Sequence, residues 1–219
     1  MLKINIWSDV RCPFCYIGKR KFESALDNFA HRDRVEVVWR SFQLDPGLKT
    51  QPDLHVYDYL ARVKGISREE TVRMHEYVKS AAEQVGLVFD FDRGVVANSF
   101  NAHRLIQMGK KAGLGNEIEE ALFKAHFTDG KNIDDQETLV SIGVSIGLTE
   151  HEVREVIAGN KFADEVRQDE MLARSLGIRA VPFFLMNDHL GVSGAQDPRL
   201  FYQALQRAWN EFEAASRLA

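Results

Sequence analysis

Cys12 and Cys15 are the only cysteines in a chain of 219 residues, and they stand three apart in the run Cys12-Pro13-Phe14-Cys15. A thiol pair at this spacing cycles between dithiol and disulfide, supplies half of a zinc site, or is a pair of inert core cysteines. Zinc takes four ligands, and the nearest histidine, His31, lies at the far end of the segment that follows, with no second cysteine pair in the chain. No metal is expected, and redox exchange is the chemistry the pair points to.

The elements around the pair define its two sulfurs differently. Leu2-Lys3-Ile4-Asn5-Ile6-Trp7 alternates apolar and polar residues, the period of a half-buried strand. Downstream, Cys15, Gly18, Phe22, Leu26 and Phe29 recur at spacings of three and four, one face of a helix whose first position is Pro13. Cys15 is therefore expected to point inward, and Cys12, just before the first turn, to be the exposed sulfur. A helix N-terminus favours a thiolate over a thiol, and Arg11 adds a neighbouring cation. Cys12 reads as the nucleophile and Cys15 as the thiol that resolves the mixed disulfide. Phe14 offers only apolar surface between them.

Val35–Phe42 reads as a second strand, so the N-terminus is a right-handed βαβ unit with Cys12 beyond the carboxyl end of its first strand, where ligands of open α/β sheets collect. After Asp45-Pro46-Gly47 the pattern becomes helix upon helix. Ser67 with Glu70 is a capping box; Ala97-Asn98-Ser99, Asn116 with Glu119, Asp134 with Glu137, and Thr149 with Glu152 are further helix starts. Residues 48–158 are read as an all-helical insertion with its own core. Residues 1–47 and 159–219 form the discontinuous domain that carries it. In the latter, Asn160 caps a helix, Pro182 stands immediately before the apolar run Phe183–Met186 as the first residue of a strand, Asn187-Asp188-His189 turns the chain into Leu190–Ser193, and Asp197-Pro198 opens a last helix.

Hydrophobic content of 45% with 27% charged residues is that of an ordinary globular protein. The net charge of −4 gives no basic surplus for phosphates, so nucleic acid is not an expected partner. No apolar run approaches the length of a membrane span. Met1 leads directly into the first strand, which leaves no room for a signal peptide and makes the cytoplasm the expected compartment.

The order β-α-β, helical insert, α, Val-Pro, β-β-α resembles the thioredoxin superfamily in its DsbA-like branch. Within that branch the chain is similar to the FrnE-type subfamily through Asp9–Arg20, Asn98–Leu105, Phe127–Gly130, Val181–Phe184 and Gly194-Ala195-Gln196. The resemblance implies an α/β thioredoxin-like fold with a large helical insertion and a cis Val181–Pro182 bond beside the dithiol. Catalytic roles then fall to Cys12, Cys15 and Pro182. Val181, Pro13, Phe14 and Arg11 become substrate contacts, with Asn98, Ser99 and His103 over the groove. The activity implied is thiol-disulfide exchange on protein or small-thiol substrates, with no cofactor beyond the redox-active disulfide, glutathione as a candidate co-substrate, and a separate recycling partner. Two other readings fit the branch. One is a glutathione-dependent transferase or isomerase of the kappa-class or hydroxychromene-carboxylate-isomerase type, though such enzymes usually carry Ser at the position of Cys12. The other is a peptide-binding holdase in which the dithiol is incidental.

Overall fold

In the computed structural model, which describes residues 1–216, the N-terminal strand β1 (Leu2–Ser8) is central to a four-stranded sheet of order β2-β1-β5-β6. β2 (Val35–Ser41) runs parallel to it, with Leu2 opposite Val35 and Ser8 opposite Ser41. On its other side β5 (Phe183–Met186) is antiparallel, with Ile4 opposite Met186, and β6 (Leu190–Ser193) closes the sheet as the hairpin partner of β5. Asn187 and Asp188 turn that hairpin at φ 50° and 60°, the left-handed pair that a tight turn between twisted strands requires.

The period-2 alternation places Leu2, Ile4 and Ile6, all fully buried, on one face of the sheet with Phe184. Against this face pack α1 (Pro13–Asp27) and α9 (Pro198–Ser216), joined by the ring contacts among Phe22, Phe184 and Phe201. Each of the isoleucines stabilises the fold by about 1.5–3 kcal/mol relative to exposure. Trp7 faces the other way, into a smaller cluster with Ala173 of α8 (Ala163–Ser175), Ile178 and Leu185. The order β1-α1-β2, insertion, α8, β5-β6-α9 is the α/β thioredoxin fold. The last three residues of the expected C-terminal segment lie outside the described ones.

The insertion carries α2 (Val56–Lys64), α3 (Arg68–Glu83), α4 (Phe100–Lys111), α5 (Gly115–Phe123), α6 (Gln136–Ser145) and α7 (Glu150–Ala158). It is not all-helical. β3 (Gln51–His55) pairs antiparallel with the two-residue β4 (Val95–Val96) through an irregular register. Gln51-Pro52-Asp53 carries no strand pattern, and its pairing depends on residues some forty positions away. Nor does the insertion have a separate core, because one contiguous apolar cluster runs from Ile4 and Phe22 through Tyr16 into Leu105, Ile118 and Phe123.

The capping box at Ser67 and Glu70 is present in full. Other starts shift. α5 begins at Gly115 with Leu114 before it, and α6 is capped by Asp135, which accepts from the Thr138 amide at 2.9 Å. Asp134 instead bonds to the Thr50 hydroxyl and to Asn101. Phe162, at φ 64°, precedes α8 in place of Asn160.

α5 grips α1 directly. Tyr16 stacks on Phe123 with centroids 4.8 Å apart, and its hydroxyl donates to Glu120 at 2.6 Å. Glu120 also holds Lys19, buried at 2% exposure, at 2.7 Å, and the Arg20 guanidinium. Burial alone raises the Glu120 carboxyl, but the bonds from Arg20, Lys19 and Tyr16 outweigh it and hold the pKa down to about 2. A carboxylate depressed in the folded state contributes stability above its unfolded value and loses it as pH falls through the folded one. Urea-unfolding midpoints are therefore expected to drop between about pH 4.5 and pH 2. A Glu120→Gln variant should be less stable at neutral pH and show a shallower drop in that window. An identical acid profile in the two proteins would remove Glu120 from the account.

Candidate active site

Cys12 is the N-cap of α1, with Pro13 at the first helical position, so the missing proline N–H is one the helix would leave unpaired in any case. The turn before it is held by Cys12 N–H donating to the Asp9 carbonyl at 2.9 Å, and Cys15 N–H returns to the Cys12 carbonyl at 2.9 Å. Neither cysteine is in a disulfide.

Cys15 points inward and is 1% exposed. Cys12 is also buried, at 6%, and so is not the open sulfur that its place before the first turn suggests. The cause is the loop ahead of β5, a segment far away in sequence, which lies against it. The Cys12 sulfur is 3.6 Å from the Val181 carbonyl, and the Val181–Pro182 peptide bond is cis. That loop is seated on α1 at Gly18, where a Cβ would come within 2.9 Å of the Pro182 ring. It is tied to the strand end by Gly194 N–H donating to the Pro182 carbonyl at 2.8 Å. Val181 and Pro13 are half-buried and Phe14 is exposed, forming an apolar rim around the sulfur.

Burial comes first among the causes that raise the Cys15 thiol well above its ordinary pKa, followed by the hydrogen bond and charge of Cys12. The inner sulfur is therefore held protonated. Arg11 is half-buried and turned onto Tyr59 of α2, with Nη2 3.3 Å from the phenol oxygen and the guanidinium 5.6 Å from the ring centroid. Tyr59 in turn donates to Asp45 at 3.2 Å.

Asn98 is half-buried and ties loops together: its Oδ1 accepts from the Phe100 amide at 2.7 Å and its Nδ2 donates to the Leu48 carbonyl at 2.7 Å. Ser99 and His103 are each 1% exposed, so α4 presents them to the interior and not to an open groove. His103 Nε2 is 3.5 Å from Asp9 Oδ1, an ion pair rather than a well-formed hydrogen bond. Burial opposes charge on both groups. The Asp9 carboxylate nevertheless raises the His103 imidazole above its ordinary value, while His103 and the Leu44 amide hold Asp9 below the usual carboxylate range. His126 lies in a π-helical turn (Lys124–Thr128) that continues α5; burial, reinforced by Arg11, pushes it down to about 4, so it is neutral at pH 7.

The sequence does not mark Ser8, Tyr59 or His126, and it presents Asp9 only as part of the Asp9–Arg20 motif and Glu119 only as a helix-start partner of Asn116. A signal existed for two of them. Ser8 ends the inward-facing series Leu2, Ile4, Ile6 on β1, and Glu119 lies within the buried face of α5 beside Ile118, Leu122 and Phe123. A polar group on an apolar stripe is the mark of a buried partnership. Among the described residues, no group of three or more His, Cys, Asp or Glu side chains is placed to hold a metal ion, and no helix is long and apolar enough to cross a membrane.

A thiol pair at a helix N-terminus facing a Val-Pro loop, on a β2-β1-β5-β6 sheet with a helical insertion, defines a protein of the thioredoxin superfamily. The chain belongs to the DsbA-like thioredoxin domain family, whose model matches residues 3–206. A solved structure of a probable DsbA oxidoreductase from Streptomyces coelicolor superposes with a TM-score of 0.90 at 40% identity, over 96% of this chain and 91% of that one. The uncharacterized protein YwbO of Bacillus subtilis (strain 168) is 27% identical over 205 residues, 92% of this chain and 94% of its own length. The cytosolic disulfide reductase DsbM of Pseudomonas aeruginosa shares the fold, with a TM-score of 0.63 at 20% identity over 100% of each chain.

Proposed function

We propose that the protein is a thiol-disulfide oxidoreductase in which Cys12 is the nucleophile, Cys15 the resolving thiol and Pro182 the residue that sets the wall against which a substrate segment lies. The observation that carries this reading is the pairing of a rim thiol, 3.6 Å from the Val181 carbonyl, with a sealed thiol one helical turn behind it. Membership of the DsbA-like family and the likeness to the Streptomyces protein support it. In the reducing direction, Cys12 attacks a substrate disulfide and one substrate thiol leaves. Cys15 then attacks the Cys12 sulfur, the second substrate thiol leaves, and the protein ends as the Cys12–Cys15 disulfide. The opposite direction oxidises a substrate dithiol by the same steps. Substrates are proteins or small thiols and disulfides, glutathione among them, in the cytoplasm, and a separate partner resets the dithiol. An FrnE-type assignment within the family belongs to the same proposal. An intact cysteine pair favours exchange over glutathione transfer or isomerisation.

Equilibration against glutathione redox buffers, with alkylation and mass measurement of the products, tests this. A single intramolecular Cys12–Cys15 disulfide is expected to titrate as a two-electron couple, with about 30 mV for each tenfold change in equilibrium constant. A protein that forms only glutathione adducts, or none, would not be a dithiol enzyme.

A further inference from the structure

Cations packed into this fold meet carboxylates. Lys19 and Arg20 share Glu120, and Arg40 and Lys110 share Asp169. Arg11, half-buried and next to Cys12 in the chain, does not. Among the described residues its guanidinium has one hydrogen bond, from Nη2 to the Tyr59 hydroxyl oxygen at 3.3 Å, and no carboxylate partner. A guanidinium carries five N–H donors, so most of this one is unspent. It is nevertheless held in place, 5.6 Å from the centroid of the Tyr59 ring. Tyr59 is itself fixed, because its hydroxyl donates to Asp45 at 3.2 Å and so turns its oxygen to Arg11 as an acceptor.

The acids nearby are engaged elsewhere. Asp9 accepts from the Arg11 and Leu44 amides at 3.1 and 2.8 Å and has His103 as its countercharge. Asp45 accepts from the Gly47 amide at 3.2 Å as well as from Tyr59. Pro13, Phe14 and Val181 bring no charge to the Cys12 sulfur. A fixed, unneutralised guanidinium one residue from a nucleophile is a receptor for a planar anion, and its ordering has been met before the ligand arrives.

We infer that Arg11, held by Tyr59, is the subsite for a carboxylate close to the disulfide of the substrate, so that the protein selects anionic disulfides. This rests on the dithiol reading and names its substrate class. The carboxylate can take two parallel N–H bonds from the fork, which the ammonium of a lysine could not offer. Tyr59 is a positioning residue, acting on the substrate through Arg11. The insertion then bears on substrate choice, since its α2 fixes the cation beside Cys12. Such a carboxylate belongs either to a small thiol such as glutathione or to an acidic residue beside a protein cysteine.

The test compares rates of oxidation of the reduced protein by a neutral disulfide, hydroxyethyl disulfide, and by an anionic one, dithiodiglycolate, read by acid quench and intact mass. Arg11→Gln is expected to lower the ratio of the anionic to the neutral rate constant about tenfold. Arg11→Lys, which keeps the charge without the fork, should recover part of that ratio. Tyr59→Phe, which keeps the ring but not the bond, should lose a smaller part, and it keeps the test open if the glutamine variant does not fold. Oxidised glutathione and a disulfide-linked peptide with Asp beside its cysteine separate the two sources of the carboxylate. A fall relative to hydroxyethyl disulfide in Arg11→Gln supports the source that shows it. Rates that fall together, with every ratio unchanged, would mean that Arg11 acts on the Cys12 thiolate alone and would overturn the subsite while leaving the dithiol intact. A wild-type protein that hydroxyethyl disulfide does not oxidise would sink the dithiol reading itself, and the subsite with it.

Discussion

A Cys12→Ala variant is expected to lose thiol-disulfide exchange down to the uncatalysed rate, and a Cys15→Ala variant to accumulate a covalent adduct with its disulfide substrate. The two outcomes are expected because the sulfurs are unequal in access and the inner thiol is held protonated. Cys12, at 6% exposure, keeps some contact with solvent beside Pro13, Phe14 and Val181. Cys15, at 1%, lies beneath it with its thiol held protonated by burial and by the neighbouring Cys12. It cannot stand in for the outer sulfur when that is removed. It is, however, the only thiol placed to cleave the mixed disulfide, so its removal leaves the first step intact and the second without a nucleophile. Non-reducing electrophoresis and intact-mass measurement after exposure to a disulfide substrate read both variants. Residual turnover in Cys12→Ala, or a trapped adduct in that variant and none in Cys15→Ala, would reverse the assignment.

The second large effect is on stability. Asp169 of α8, 5% exposed, gathers groups from three directions. Its Oδ1 accepts from Arg40 of β2 at 2.9 Å. Its Oδ2 accepts from the Ser41 amide at 3.0 Å and from Gln107 of α4 at 2.6 Å, with the Lys110 ammonium at 3.4 Å. Its carbonyl accepts from the Trp7 indole at 3.0 Å. α8, the edge of the sheet and the insertion thus meet on one carboxylate. Truncation to alanine leaves two cations facing each other and a backbone N–H without its partner, and a buried ionic group that loses its counterion costs about 3–5 kcal/mol. Burial already pushes the Lys110 ammonium below its ordinary value, so without Asp169 it would be easier still to neutralise. Urea unfolding of Asp169→Ala is expected to show that loss, and Asp169→Asn, which retains hydrogen-bonding capacity, a smaller one. A change below about 1 kcal/mol would mean that the cations are satisfied elsewhere.

Much of the scaffold was legible because its signals are local. The alternation of Leu2 to Trp7, the three-and-four spacing behind Cys15, the Asn187-Asp188 turn and the Ser67–Glu70 box are each written within a few residues, and each is present. Where two local signals competed, packing chose between them. Asp134, read with Glu137 as the start of α6, bonds instead to Thr50 and Asn101, and Asp135 is the cap. Glu119 reads in sequence as the third residue of a capping pair with Asn116. In the fold it is buried on Ser8, because its place between Ile118 and Leu122 turns it toward the sheet.

The sequence by itself determined a dithiol on the N-terminus of a helix between two strands, followed by a largely helical stretch, because periodicity and spacing specify which face of each element is apolar; the thioredoxin-type sheet was implied by the family resemblance. Only the tertiary structure decided how closed the dithiol is and what stands behind it. The loop that covers Cys12 lies 169 residues further along the chain, the acid that reaches Ser8 lies 111 residues away, and the backbone carbonyl that anchors Trp7 lies 162 residues away. Contacts at such separations depend on how helices and strands pack, and no pattern within one element encodes them.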